Sequence, residues 1–231
     1  MPNSFSAPQS ELSPQSSHQR AANYIRRLIL DGQLSPGTRV PQDEVASALR
    51  VSRNPIREAL IALNAQGWVT IENNRGAFVN TFDEDTIGDH FEICAFIHTL
   101  AFKRGAAKSG VKLLADLEAI LGEFTPRADI ALAGRLAVEF HNRVIVSAES
   151  SRIIAVQRAN STLVPGNFFD YVPSARNVER EAMLAIVRAG KNNDLVEVSQ
   201  AYDRLMKRLA KDVVKLFRNS GLFEEKSSNA A

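Results

Sequence analysis

The spacing of apolar residues changes once along this chain, close to Gly67. Before Gly67, apolar side chains recur every three to four residues, as they do on one face of a helix. This pattern predicts helices at 19–31, 43–50 and 55–63. After Gly67, residues 68–71 and 77–79 alternate as strands do, and the turn residues between them predict a β-hairpin. Because three helices and a hairpin form a winged helix-turn-helix, we expect that fold over residues 18–80.

The remainder of the chain shows the helical spacing without any strand-like alternation. Glycine and proline divide it into predicted helices at 83–109, 111–123, 128–149, 151–164, 174–190 and 194–219. We therefore expect a mainly α protein with a second, all-helical domain over residues 83–222. The first 17 residues are rich in Ser, Pro and Gln and are expected to form a disordered leader, and residues 223–231 a disordered tail.

The composition argues against several classes of protein. The single cysteine, Cys94, cannot support an internal disulfide framework, which fits a reducing compartment. No apolar run approaches the ~18 residues that a membrane-spanning helix needs. The first residues also lack the basic start and apolar core of a secretory signal. We therefore expect a cytoplasmic protein.

Charge is distributed unevenly between the two predicted domains. Residues 18–80 contain eight arginines and five acidic residues, whereas residues 81–231 contain twenty basic and twenty acidic residues. Every cation of the first segment is an arginine, the side chain best suited to phosphate and guanine. This asymmetry favours the first domain as the one that contacts nucleic acid.

The start of the third predicted helix suits DNA recognition. Ser52 occupies the N-cap position, where a hydroxyl and the helix N-terminus can meet a phosphate. Arg53 and Arg57 are long enough to fork onto guanine in the major groove, and Asn54 lies between them. Arg75 at the hairpin tip can reach the adjacent minor groove or backbone. The alternative is a surface helix whose arginines are simply solvated.

Residues 18–80 resemble the DNA-binding domain of the GntR superfamily of bacterial transcription factors. The resemblance is carried by Ile29, by 32–37, by the block 51–60, by Leu63, by 67–69 and by Arg75, Gly76 and Val79. It implies a dimer that reads operator DNA with a recognition helix in the major groove and a wing in the minor groove. The implied contacts are Ser52, Arg53, Asn54 and Arg57 on the helix and Asn74, Arg75 and Gly76 on the wing. Some members place a DNA-contacting arginine where this chain has Asp43, so no contact is expected there.

Residues 83–222 resemble the all-helical effector domain of the FadR branch, often called FCD. The resemblance is carried by 139–141, 147–149 and 179–190. It implies an antiparallel helical bundle around a pocket for a small carboxylate, which many members bind through a divalent metal held by one Asp and three His. A homodimeric repressor, released by an organic acid effector, is the function that the two resemblances imply.

This chain departs from that metal site. Ala137 stands where the family has its Asp, Arg180 stands at the second His position, and no His follows His141. Because metal sites normally need three or more protein ligands, we expect no family-type metal and no other cofactor. The expected effector pocket contains Cys94, His98, His141 and Arg180. Arg180 either binds an anionic effector directly or pairs with a neighbouring glutamate and faces solvent.

Three further interpretations remain open at the level of sequence. The spacing of His90, Cys94 and His98 places them near one helical face. There they could form a soft-metal cluster, or they could pack in the core or pocket. Cys94, His141 and Glu139 could form the nucleophile and base of an enzyme, although no catalytic fingerprint motif accompanies them. A helical interaction module without DNA binding would leave residues 51–79 unexplained.

Overall fold

The computed structural model describes residues 16–160, 163 and 168–223. Of the predicted leader and tail, only residues 16, 17 and 223 fall within these ranges, and the rest lies outside the described residues. No helix of the described part combines the length and apolar character that crossing a bilayer requires.

The first part of the chain forms a winged helix-turn-helix, as predicted. Its elements are α1 (Ser17–Leu30), α2 (Gln42–Leu49), α3 (Arg53–Ala65), β1 (Val69–Glu72) and β2 (Gly76–Val79). The two strands pair antiparallel, with Val69 opposite Val79. Helix α1 begins with a capping box in which the Ser16 and Gln19 side chains satisfy each other's backbone amides.

Local sequence explains where these elements end. Arg50 closes α2 in the left-handed conformation, with φ 54°. Gly67 turns the chain from α3 into β1 at φ 75°, a conformation that glycine adopts without steric cost. Trp68 follows directly and is fully buried. The apolar faces of α1 and α3 pack against each other and enclose Ile25 and Ile56.

The second part of the chain is entirely helical within the described residues. Its elements are α4 (Glu84–Glu123), α5 (Ile130–Ser147), α6 (Ser151–Asn160), α7 (Phe168–Tyr171), α8 (Ala175–Lys191) and α9 (Leu195–Asn219). Aspartates at 83, 129 and 194 cap α4, α5 and α9, since each side chain accepts a hydrogen bond from the backbone amide three residues on. The long helix α4 packs against α5, α8 and α9.

Three details differ from the predicted helices. The break expected at Gly110 is a kink within α4, where Ser109 has φ −155° and ψ 52°. Helix α6 ends at Asn160, and most of the predicted extension to 164 lies outside the described residues. The short helix α7 was not predicted, because the proline and glycine at 165 and 166 indicate a turn there.

The end of α9 returns to the winged helix-turn-helix and packs against it. Phe217 contacts Trp68 and Phe82 edge to face, with ring centroids 5.4 and 4.8 Å away. The Ser220 hydroxyl donates a hydrogen bond of 2.6 Å to the carbonyl of Leu30 at the end of α1. The aromatic junction of Trp68, Phe82 and Phe217 thus joins the two domains through a shared apolar core.

Candidate DNA interface and effector cavity

The first residue of α3 is held by an acid from α2. Arg53 Nε lies 2.6 Å from Asp43 Oδ1, and Arg53 Nη2 donates to Asp43 Oδ2 at 2.9 Å. Both side chains are 68% exposed, so the pair lies on the surface. Sequence analysis expected no DNA contact at Asp43 and did not predict that this acid would pair with Arg53.

The other candidate residues of α3 are exposed as well. Arg57 has no hydrogen bond or ion pair within the described part of the chain. Asn54 donates to Glu58 Oε1 at 3.0 Å. Ser52 has the extended conformation of an N-cap, but its side chain makes no capping hydrogen bond. The start of α3 therefore presents an unpaired guanidinium and an uncommitted hydroxyl to solvent.

The wing turn places a cation at its tip. Asn74 and Gly76 adopt positive φ values of 60° and 108°, as a tight hairpin turn requires. Between them, Arg75 forms an ion pair with Glu72, and its guanidinium carbon lies 5.4 Å from the centre of the Phe78 ring. The arginine is therefore exposed but supported from below by an aromatic ring.

Arg39 is a cation of the wing that sequence analysis missed. A side chain at Gly76 would place its Cβ 2.6 Å from Arg39 Nε, so the arginine lies directly over this glycine. A backbone hydrogen bond holds this segment beside the hairpin, because Val40 N, next to Arg39, donates to the Ala77 carbonyl at 2.8 Å. The signal in the sequence is the turn at Pro36 and Gly37, which directs the following residues alongside the hairpin.

The helical domain encloses a cavity of about 530 Å³. Its walls are mostly apolar, with aromatic and aliphatic side chains from α4, α5, α6, α7 and α9. The predicted residues Cys94, His98 and His141 line it, together with Glu179 from α8. A cavity of this size, apolar with a few polar groups, is typical of small-molecule sites.

Arg180 is not among the residues that line the cavity, so its expected place in the pocket is corrected. Its Nε donates to the carbonyl of Phe124 at 3.0 Å, and Arg176 donates to the carbonyl of Ala128 at 2.9 Å. Both guanidiniums stabilise the chain after α4, where helical carbonyls lack partners. Successive residues of a helix point about 100° apart, which is why Glu179 faces inward and its neighbour does not.

A buried polar cluster occupies one wall of the cavity. His141 Nε2 donates to Glu179 Oε1, which leaves His141 Nδ1 buried and without a partner among the described residues. The Tyr202 hydroxyl is buried in the same way. Burial, together with the charge of Glu179, raises the pKa of Tyr202, so the phenol keeps its proton.

Two further histidines of the cavity are neutral. Burial, aided by nearby His141, lowers the pKa of His98 to about 3, and burial lowers that of His90 to about 4. His98 Nδ1 lies 2.7 Å from the carbonyl of Cys94, which can only accept, so Nδ1 carries the proton of the neutral ring. The His98 ring also lies 5.2 Å from those of His141 and Tyr202.

Cys94 is a packing residue in this arrangement. Its sulfur accepts a hydrogen bond of 3.1 Å from Asn160 Nδ2 and lies 3.8 Å from His90 Nε2. Burial raises the pKa of its thiol to about 11, far above the range of a nucleophilic thiolate. Within residues 16–160, 163 and 168–223, no three His, Cys, Asp or Glu side chains are grouped to hold an ion.

The nucleophile and base set considered for an enzyme is not assembled. Glu139 is 54% exposed and pairs with Arg143 on the same helix at 3.9 Å, whereas His141 and Cys94 face the cavity. The partner of His141 is Glu179, which lies 38 residues away in the sequence and could not be identified from spacing.

Among the described residues, Arg158 of α6 is the one cationic side chain that lines the cavity. It is exposed and makes no ion pair with any acid of the described residues. Sequence analysis did not identify it. Its signal is the spacing of Ile154, Gln157 and Arg158, which places all three on the face of α6 that meets the cavity.

Comparison with known proteins identifies the first domain. The family model for bacterial regulatory proteins of the gntR family matches residues 17–79. An uncharacterized HTH-type transcriptional regulator of Mycobacterium tuberculosis is 32% identical over 154 residues, which are 67% of this chain and 63% of that protein. The match therefore covers less than two thirds of that relative.

Other similarities extend over most of the chain. The Nta operon transcriptional regulator of Aminobacter aminovorans is 25% identical over 195 residues, 80% of this chain and 93% of that protein. Among solved structures, E. coli McbR/YncC has a TM-score of 0.59 at 17% identity and covers 88% of this chain and 100% of that one. At this identity the structural likeness shows the fold alone, and it includes both domains.

Proposed function

We propose that the chain is a sequence-specific transcriptional regulator of the GntR family of helix-turn-helix regulators and that it acts as a cytoplasmic homodimer. The observation that carries this proposal is the match of the family to residues 17–79, whose recognition helix presents Arg53 and Arg57 to solvent. Exposed arginines at the start of such a helix can reach base edges in the major groove.

A binding experiment with Arg57→Ala tests the recognition helix. The DNA is a duplex enriched from a randomised pool by the wild-type protein. A good bidentate base contact is worth about 1–3 kcal/mol, so we expect affinity to fall roughly 5- to 150-fold. The melting temperature should not change, because Arg57 is exposed and unpaired within the described residues. Arg135→Ala, at an exposed arginine of α5, is the matched control, and wild-type affinity in Arg57→Ala would contradict the assignment.

We propose that the dimer forms through an exposed apolar stripe on α4, because a two-fold operator is read by a two-fold protein. The stripe consists of Ile93, Phe96 and Leu100, which are 46%, 68% and 44% exposed and lie on one helical face. Val196, 68% exposed at the start of α9, extends it across the groove between the two helices. An apolar surface of this kind is typical of a protein interface.

Substitution of Phe96 tests this surface. Phe96→Asp places a charge in the stripe and should convert a species of about twice 25.4 kDa into a monomer in sedimentation experiments. Val111→Asp, at an 89% exposed position of the same helix, should remain dimeric. A monomeric wild-type protein in the presence of DNA would contradict the proposal of a dimer, and a dimeric Phe96→Asp protein would place the interface elsewhere.

We propose further that the helical domain is an FCD-type effector domain that binds an organic acid with an apolar body, without a metal, and that binding releases repression. The apolar walls of the cavity suit such a body. Glu179 already carries a carboxyl group and is engaged by His141, whereas Arg158 has no acidic partner within the described residues. The carboxylate is therefore expected to bind Arg158 bidentately, the role first expected of Arg180.

A thermal-shift screen of aromatic and aliphatic acids tests this site, because a ligand that binds only the folded state raises its melting temperature. Each acid is paired with the corresponding alcohol, which should give no shift. Arg158→Gln should abolish the shift, whereas Arg152→Gln, at an exposed arginine of the same helix, should preserve it. Stoichiometric zinc, nickel or manganese in untagged protein, lost in His141→Ala, would contradict binding without a metal.

A further inference from the structure

We propose that Asp43 is a specificity-determining residue, which positions Arg53 of the recognition helix to read a guanine. The inference rests on the proposed function as a DNA-binding regulator and deepens it. It concerns an acidic side chain on the surface that faces DNA, where a negative charge by itself opposes binding to phosphates.

The geometry of the pair is side-on. Arg53 uses the edge formed by Nε and Nη2, whose distances to the two oxygens of Asp43 are 2.6 and 2.9 Å. A guanidinium has five N–H donors, and the edge that faces Asp43 contains two of them, of which the one on Nη2 forms the hydrogen bond. The three that remain belong to Nη1 and Nη2, which form the end-on fork. That fork matches O6 and N7 of guanine, so Asp43 leaves the guanine-reading edge available.

The pair restricts where the guanidinium can go. An arginine without a partner can swing to any nearby phosphate, a contact that carries no base preference. Held by both oxygens of one carboxylate, Arg53 loses that freedom, and the charge of Asp43 disfavours its placement beside a phosphate. Arg57, one turn along α3, has no acidic partner among the described residues and is not restricted in this way.

Folding gives little reason for this pair. Surface ion pairs contribute little to stability, and both side chains are 68% exposed. Helices α2 and α3 are already joined by apolar packing that buries Val45 and Ile56. The pair is therefore better explained by the position it gives to Arg53 than by the stability it adds.

Selection from a pool of randomised duplexes tests the inference. The wild-type protein, Asp43→Asn, Arg53→Ala and the control Glu44→Gln are each used to enrich bound DNA, which is then sequenced. Glu44 is the neighbouring exposed acid of α2, and it makes no ion pair within the described residues. Glu44→Gln thus removes the same charge from the same helical turn without releasing Arg53.

We expect the wild-type protein and Glu44→Gln to select the same guanine at one position of each half-site. A bidentate contact prefers guanine by roughly 5- to 150-fold, and Asp43→Asn should reduce this preference at least about threefold. Affinity for DNA lacking the motif should rise in both Asp43→Asn and Glu44→Gln, because both remove one negative charge. It should rise more in Asp43→Asn, because the released Arg53 can also reach a phosphate. The melting temperatures of all variants should match, and Asp43→Asn should have no further effect on base preference in Arg53→Ala protein.

Each other outcome has a distinct meaning. If Asp43→Asn selects the same motif as Glu44→Gln with the same preference, Asp43 does not position Arg53 and the inference is wrong. If Asp43→Asn also changes the motif in Arg53→Ala protein, Asp43 contacts a base itself, which overturns the positioning role. If the wild-type protein enriches no common sequence, the proposed function fails and the inference fails with it.

Discussion

The proposed DNA-binding surface and the cavity of the helical domain hold their polar groups in opposite ways. On α3 and the wing, arginines are exposed and either unpaired within the described residues or matched with exposed acids, as in the pair of Arg53 and Asp43. In the cavity, by contrast, burial keeps two of the histidines neutral, His90 and His98. The first region can therefore change partners in water at little cost, whereas the second is fixed by the packing around it.

This difference predicts different responses of the two regions to the environment. Binding by exposed charge depends on salt, since each phosphate contact releases counterions. Buried neutral histidines respond instead to pH, since protons that the unfolded chain accepts are excluded from the folded one. The aromatic junction of Trp68, Phe82 and Phe217 lies between the two regions and belongs to neither type, because its three aromatic side chains carry no charge.

The largest expected effect comes from breaking that junction. Phe217→Ala removes a fully buried ring, and such substitutions reduce the free energy of unfolding by about 3–5 kcal/mol. Trp68 is the single tryptophan of the chain, so its fluorescence reports directly on the junction during denaturation by urea. Val111→Ala, at an 89% exposed position, should behave as the wild type. A stability change below about 1 kcal/mol in Phe217→Ala would show that the domains do not share a core.

The second-largest expected effect is a dependence of folding stability on pH, caused by the buried histidines of the cavity. An unfolded histidine has a pKa of about 6.5, whereas folded His98 has a pKa of about 3. Between these values the unfolded chain binds a proton that the folded chain does not, so stability is full above pH 6.5 and falls as the pH drops. The slope should be about 1.4 kcal/mol per pH unit for this histidine, and His90 adds to it over the range down to its pKa of about 4.

Urea denaturation at pH 7, 6 and 5 measures this slope. His98→Asn keeps an amide donor near the Cys94 carbonyl but cannot titrate, so the pH dependence of its stability should be shallower than that of the wild type. Val111→Ala, at an exposed position that carries no titratable group, should keep the wild-type slope. A slope unchanged by His98→Asn would mean that this ring is solvated and not buried in solution.

The same contrast explains what the sequence could predict. The winged helix was predictable because its signals are local: a turn at Pro36 and Gly37, a helix start at Ser52 and a hairpin after Gly67. Arg53 and Arg57 could be chosen because the recognition residues follow one another along one helix. The ion pair between Arg53 and Asp43 could not be predicted from the sequence, because it depends on how α2 and α3 pack against each other.

The cavity was predictable only in part. Cys94, His98 and His141 could be chosen by resemblance. Which cationic side chain faces the cavity could not, because neighbouring residues of α8 point about 100° apart around the helix axis. Glu179 therefore faces the cavity, whereas Arg180 donates to the Phe124 carbonyl. Among the described residues, the cation that lines the cavity is Arg158 of α6. Contacts between helices distant in sequence decide such details, and one-dimensional spacing does not encode them.

The smallest expected effect is that of replacing Arg75, an exposed arginine of the wing. Arg75 pairs with Glu72 and stacks on Phe78, so part of its charge is already compensated before DNA binds. Its contribution should therefore be a groove or phosphate contact, which acts on all sequences alike through counterion release. For Arg75→Ala, we expect the slope of log affinity against log salt to become shallower by about 1 for each wing, with a uniform loss of affinity. Binding to the selected duplex and to DNA lacking the motif, each between 50 and 200 mM salt, measures both quantities, and Arg135→Ala should leave both unchanged. A loss confined to one base position, with the slope intact, would show instead that Arg75 reads sequence directly and that the wing shares the role of α3.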